Sequence, residues 1–101
     1  MFDFNGKTVL ITGASYGLGE QFAYAFADAG ADLVLTARSQ DLVENVGSLC
    51  REKGSKVTVV CGDVSVEDDV INVVNQGITN HGKIDVLINN AGIADLSLIH
   101  I

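Results

Sequence analysis

Apolar positions in this chain fall into two alternating rhythms. Residues 7–12 (KTVLIT), 32–36 (DLVLT), 56–61 (KVTVVC) and 84–88 (IDVLI) are short runs that stay apolar or β-branched at most positions. Such runs predict strands buried on both faces. Between them, residues 17–29, 40–53 and 65–81 repeat at helical spacing. In the first helix Leu18, Phe22, Ala25, Phe26 and Ala29 share one stripe; in the second, Leu42, Val43, Val46, Leu49 and Cys50 do. Val70, Ile71, Val73, Val74 and Ile78 form the apolar face of the third. Gly30, Gly54 and Gly82 follow the helix ends, where a left-handed residue closes the last turn. Ser65 followed by Asp68 resembles a capping box with aspartate at its last position.

The order is βαβαβαβ, without a proline anywhere to interrupt an element. Parallel strands joined by right-handed crossovers give a doubly wound sheet. If the first three strands make one mononucleotide-binding half, the fourth lies on the far side of the first, in order 3-2-1-4. The crevice between the first and fourth strands is then the point where ligands bind.

Composition narrows the classes. At 101 residues the chain is at most one domain, large enough for a true core. No apolar run approaches the roughly 18 residues of a membrane span, and the start, MFDFN, is not a secretory signal. Six Lys and Arg against thirteen Asp and Glu give a net charge of −7, which argues against nucleic acid or anionic lipid as a partner. Cys50 and Cys61 have neither metal-ligand spacing nor a disulfide framework, so each reads as a small buried hydrophobe in a reducing, cytoplasmic compartment. His81 and His100 have no partners at ligand spacing, and no metal site is expected.

Four segments fall at the carboxyl ends of the strands. The first is TGASYGLG, residues 12–19, with spacing G-x-x-x-G-x-G. Gly13 can supply the dihedral of the turn, Gly17 lets backbone close on a pyrophosphate, and Gly19 lets the helix pack tightly. Ser15 and Tyr16 are placed to add contacts. The bland alternative is a tight strand-to-helix connection with no ligand. The second segment, Ala37-Arg38-Ser39, lies about twenty residues on, where a carboxylate would mark NAD. A guanidinium and a hydroxyl suit a 2′-phosphate instead, so NADP is favoured, against a solvated helix start. Asp41 nearby reads as a helix cap. The third, Gly62-Asp63-Val64, offers a carboxylate for an adenine amino group and a backbone N–H for a ring nitrogen; it could equally cap the third helix. The fourth, Asn89-Asn90-Ala91-Gly92, can tie neighbouring loops together and leave room for a ribose, or be a plain turn. A Walker A reading of Gly6-Lys7-Thr8 fails because the triplet precedes a strand.

In this order and spacing the segments resemble the classical short-chain dehydrogenase/reductase family over residues 6–92. The resemblance implies a Rossmann-like α/β fold and NAD(P)-dependent carbonyl reduction or alcohol oxidation, in a homo-oligomeric parent. It implies that Ser15, Tyr16 and Leu18 line the pyrophosphate and that Arg38 and Ser39 take the 2′-phosphate. Asp63 and Val64 would hold the adenine, and Asn90, Ala91 and Gly92 the ribose. Tyr16 stands where NADP-preferring members often carry a basic residue, which leaves NAD open. The family's chemistry rests on a serine and a Tyr-x-x-x-Lys pair. The two tyrosines here are Tyr16 and Tyr24, followed four residues later by Glu20 and Asp28. The chain is therefore expected to be the cofactor-binding half alone, residues 1–95, and inactive by itself. The alternative is a non-catalytic nucleotide sensor on the same fold. The codons CTG-TCT-CTT-ATA-CAC-ATC, a transposon end used in preparing sequencing libraries, would encode LSLIHI, the sequence of residues 96–101, so a non-native tail is expected there.

Overall fold

The computed structural model describes residues 3–91. Gly92 and the expected tail at 96–101 lie outside the described residues. The elements are β1 (Thr8–Thr12), α1 (Gly17–Asp28), β2 (Asp32–Ala37), α2 (Gln40–Glu52), β3 (Val57–Cys61), α3 (Glu67–His81) and β4 (Val86–Asn89). All pairings are parallel and the order is β3-β2-β1-β4, the arrangement read from the alternation of elements. Thr8 lies opposite Asp32, and Val9 opposite Val86, so the carboxyl ends of β1, β2 and β4 come level.

Alternation along each strand sends its residues to two cores. Val9, Ile11, Leu33 and Leu35 face α1 and α2, packing with Ala23, Ala27, Val43, Val46 and Cys50. Leu10, Val34 and Val60 face α3, packing with Val73 and Ile84. β1 and β2 are buried throughout their apolar positions, as central strands covered on both sides must be.

The helix faces are where expectation and structure part. α1 buries Gly19, Ala23 and Ala27, while Leu18 is 61% exposed and Ala25 is exposed too. Phe22 and Phe26 pack at the margin of the core. A helix whose central stripe is small sits closer to the sheet, and large side chains then fit only along its flanks. α2 buries Val43, Val46, Gly47 and Cys50 and leaves Leu42 and Leu49 outside. α3 buries Val70, Val73 and Gly77 and exposes Ile71 and Ile78.

Three local readings also change. The α3 capping box does not form: the N-cap is Val66, and the Ser65 hydroxyl instead donates to Asp63 Oδ1 at 2.6 Å. Asp41 lies in the first turn of α2, and the cap is Ser39, whose Oγ accepts from Leu42 N at 3.4 Å. β4 begins two residues later than the apolar run, because Asp85 turns its carboxylate back to accept from Thr8 N at 2.8 Å. Among the described residues no helix is long and apolar enough to cross a membrane.

Candidate functional site

The glycine turn is tied at both sides by the strands that flank β1. Ala14 N donates to Thr36 O at 3.2 Å at the end of β2. From β4, Asn90 Nδ2 donates to Gly13 O at 3.1 Å and Ala91 N to Thr12 Oγ1 at 3.1 Å. Thr12 Oγ1 in turn donates to Asn89 Oδ1 at 3.1 Å. The paired asparagines thus tie the loop after β4 to the loop after β1 across 77 residues of sequence.

Each glycine of the turn does something different. Gly13 has φ +62°, and a Cβ there would stand 3.0 Å from Asn90 Nδ2. Gly19 has ordinary helical backbone, but its Cβ would stand 2.0 Å from Gly13 O. It therefore seats α1 on the turn itself. Gly17 has φ +60°, and among the described residues nothing stands within 4 Å of where its Cβ would be. Its backbone borders open space. α1 starts from Tyr16 with no side-chain cap, so its first-turn N–H groups keep the partial positive charge of a free helix start.

That start opens into a cleft of about 370 Å³, within the range of small-molecule sites. Gly13, Ser15, Tyr16, Gly17 and Leu18 form one wall, and Arg38, Ser39, Asp63, Val64, Asn90 and Ala91 complete the rim. Gly19 is buried beneath, and Gly92 lies outside the described residues. Ala37 and Gly62, from the strand-end segments, also line the cleft, and so does Leu42. Leu42 was read as core; its exposure at the first turn of α2 puts it there instead.

Arg38 is the one cation and Asp63 the one carboxylate among the described lining residues. Ser39 Oγ accepts from Leu42 N, which leaves its own hydroxyl proton free to donate into the cleft. The Ser65 hydroxyl and backbone N–H hold the Asp63 carboxyl below the usual carboxylate range, and the charge of Arg38 adds to this. Cys61 is exposed at the end of β3, not buried as expected, and its thiol donates to Arg38 O at 3.2 Å. It occupies the last position of an edge strand, beyond the reach of α2. Cys50 is buried as expected, and desolvation pushes its thiol up to about 11. Tyr24 packs on the core with its hydroxyl donating to Glu20 Oε2 at 2.7 Å. Burial and that carboxylate push it up to about 12, the opposite of what a proton-exchanging tyrosine needs.

Fold and cleft together define a Rossmann-like doubly wound α/β protein with the cleft at the topological switch point. A family profile described as short chain dehydrogenase matches residues 7–100, and the chain belongs to that family. It is 50% identical over 94 residues to 11-beta-hydroxysteroid dehydrogenase 1A of Arabidopsis thaliana, covering 92% of this chain and 27% of the relative. The chain thus spans about a quarter of the length of that curated relative. It superposes on L-sorbose reductase from Gluconobacter frateurii, solved with NADPH and L-sorbose, with a TM-score of 0.86 and 38% identity. That match covers 91% of this chain and 35% of the reductase. An NAD+-bound xylitol dehydrogenase superposes with a TM-score of 0.85 at 37% identity, over 89% of this chain and 35% of that one.

Proposed function

We propose that this chain forms the adenosine side of a dinucleotide site, with NADP(H) preferred, in an oxidoreductase that interconverts small-molecule carbonyls and alcohols. One observation carries the reading: the uncapped start of α1, Arg38 and the Asp63–Val64 loop line a single cleft. In this reading the α1 N–H groups and the open side of Gly17 receive the pyrophosphate. Arg38 and the free hydroxyl proton of Ser39 take a 2′-phosphate, and Asp63 with Val64 N–H meets the adenine edge. Asn90 and Ala91 border the ribose. The bound nicotinamide supplies hydride transfer; these residues bind and orient. The NADPH held by the sorbose reductase supports the cofactor class, and the NAD+ of the xylitol dehydrogenase keeps the choice between the two on Arg38.

The chain has no tyrosine paired with lysine at the spacing the chemistry requires, so turnover by residues 1–101 alone is not expected. The test is calorimetric titration of NADPH and NADH into the wild-type chain and Arg38→Asp. Losing a charge-assisted contact and gaining a repulsion should shift the preference toward NADH by about 2 kcal/mol or more. An unchanged preference overturns the role of Arg38.

A further inference from the structure

The loop after β3 is held from a direction the sequence does not advertise. Asp69, in the first turn of α3, accepts from Asp63 N through Oδ2 at 2.9 Å, in a part-buried position. Its Cβ sits 3.4 Å from where a Cβ on Gly62 would be, so the side chain lies directly against the strand exit. Gly62 N is itself bonded to Ala37 O at 3.0 Å, which extends the ladder of β2 and β3 by one residue. The Asp63 carbonyl accepts from Val66 N at 2.9 Å, and its carboxylate Oδ1 accepts from Ser65 N at 2.9 Å. Asp63 is therefore fixed at its amide, its carbonyl and one carboxylate oxygen. Two groups are left over: Asp63 Oδ2, and the N–H of Val64, which has no acceptor among the described residues. Both residues line the cleft.

We infer that Asp69 is a positioning residue for base recognition, holding the Asp63 peptide so that Asp63 Oδ2 and Val64 N–H act as a paired acceptor and donor. The inference rests on the dinucleotide reading above and extends it to a residue that does not itself line that cleft. An acceptor beside a donor matches the edge of adenine, which offers an exocyclic amino group next to an unprotonated ring nitrogen. It mismatches hypoxanthine, whose edge offers a carbonyl next to an N–H. With the peptide released, the loop can turn away and the pair no longer distinguishes the two edges. Helix capping by the acidic first turn of α3 is a general stabilising role and would not change base preference.

The experiment measures affinity of the wild-type chain, Asp69→Ala and Asp69→Asn for NADPH and for its hypoxanthine analogue, with far-ultraviolet circular dichroism on each protein. The wild type should prefer adenine. Asp69→Ala should lose about tenfold of that preference, the loss expected when one orienting hydrogen bond is removed. Asp69→Asn keeps an oxygen that accepts from Asp63 N and should keep the preference. If Asp69→Ala does not fold, Asp69→Ser, with a side chain too short to reach Asp63 N, is read in its place. A preference unchanged in the alanine or serine chain, or both ligands weakened equally, overturns the positioning role while leaving the site intact. Failure of the wild type to bind either dinucleotide overturns the cofactor site and the inference with it.

Discussion

On one face of the sheet α1 and α2 settle onto Val9, Ile11, Leu33 and Leu35 through Ala23, Ala27 and Val46. On the other, α3 is the one helix among the described residues that packs on Leu10, Val34 and Val60, with Ile84 beside it. The first face is closed by small residues. A Cβ on Gly47 would come within 2.6 Å of Val59 Cγ2, and one on Gly19 within 2.0 Å of Gly13 O. The second face has slack. Leu10, Thr36, Val70, Val73 and Val74 border a void of about 10 Å³ beneath the Asp63 loop, and Thr36 Oγ1 is buried with no partner among the described residues. Tight packing lies where it serves the site, since α1 must hold its amino terminus against the turn for the cleft to keep its shape. α3 contributes to the cleft only through the loop that precedes it, and its packing tolerates more.

The largest effect should come from Gly19→Ala. The added methyl meets backbone, which cannot swing away, so α1 must lift from the turn; a loss of at least about 3 kcal/mol is expected by denaturant unfolding. If the variant unfolds with the wild type, the close seat of α1 on the turn is not what closes that face.

A matched pair of glycines sharpens the contrast. In both Gly47→Ala and Gly77→Ala the helix gains about 1 kcal/mol of propensity. At Gly47 the clash with Val59 outweighs the gain, and the variant should be less stable by about 1 kcal/mol. At Gly77 the methyl would stand 3.1 Å from the tip of Ile84 and from Val34 Cγ2, contacts that yield by a few tenths of an ångström, so stability should change little or rise. Thermal unfolding of both chains checks the order; equal losses would erase the distinction between the faces.

Thr36→Val replaces a buried hydroxyl, unpartnered among the described residues, with a methyl beside the void. It should stabilise the chain by about 1 kcal/mol, because no hydrogen bond is given up. Destabilisation in urea titration would mean that the hydroxyl has a partner in solution.

The smallest effect is a pH dependence on the α3 face. His81 Nε2 lies 2.9 Å from Thr58 Oγ1, a hydroxyl that also accepts from Asn80 Nδ2 at 3.1 Å, while Nδ1 is buried without a partner among the described residues. Burial, and then the nearby charge of Lys56, hold this imidazole below its ordinary value, against a smaller opposing pull from Asp32. The unfolded chain thus takes up the proton first. The stability His81 contributes is complete above about pH 6.5 and is lost as pH falls through its folded value. His81→Gln should flatten the stability profile between roughly pH 7 and pH 5, and a profile that keeps its slope would assign the dependence elsewhere.

Much of the lining of the candidate site was legible before the structure because its parts sit at strand ends, which periodicity locates well. Gly13, Arg38, Asp63 and Asn90 each follow an apolar run, and parallel pairing brings those ends to one edge of the sheet. Leu42 was missed because helical spacing cannot say which side of a two-residue-wide stripe meets the sheet. Asp69 was missed because a carboxylate in a first turn reads as a partner for the helix dipole, and its hydrogen bond to Asp63 depends on how the loop folds back.

By itself the sequence determined the order of elements, the parallel sheet, the sequence of its strands and the glycine turn at its centre. Those follow from period, from chirality and from the few residues able to take a positive φ. Only the tertiary structure decided which helix residues meet the sheet, because hydropathy gives glycine and alanine little weight and close packing gives them the contact. It also decided the partners of Asp63, Ser65 and Asp85, since a short polar side chain bonds to whatever group the fold brings within about 3 Å.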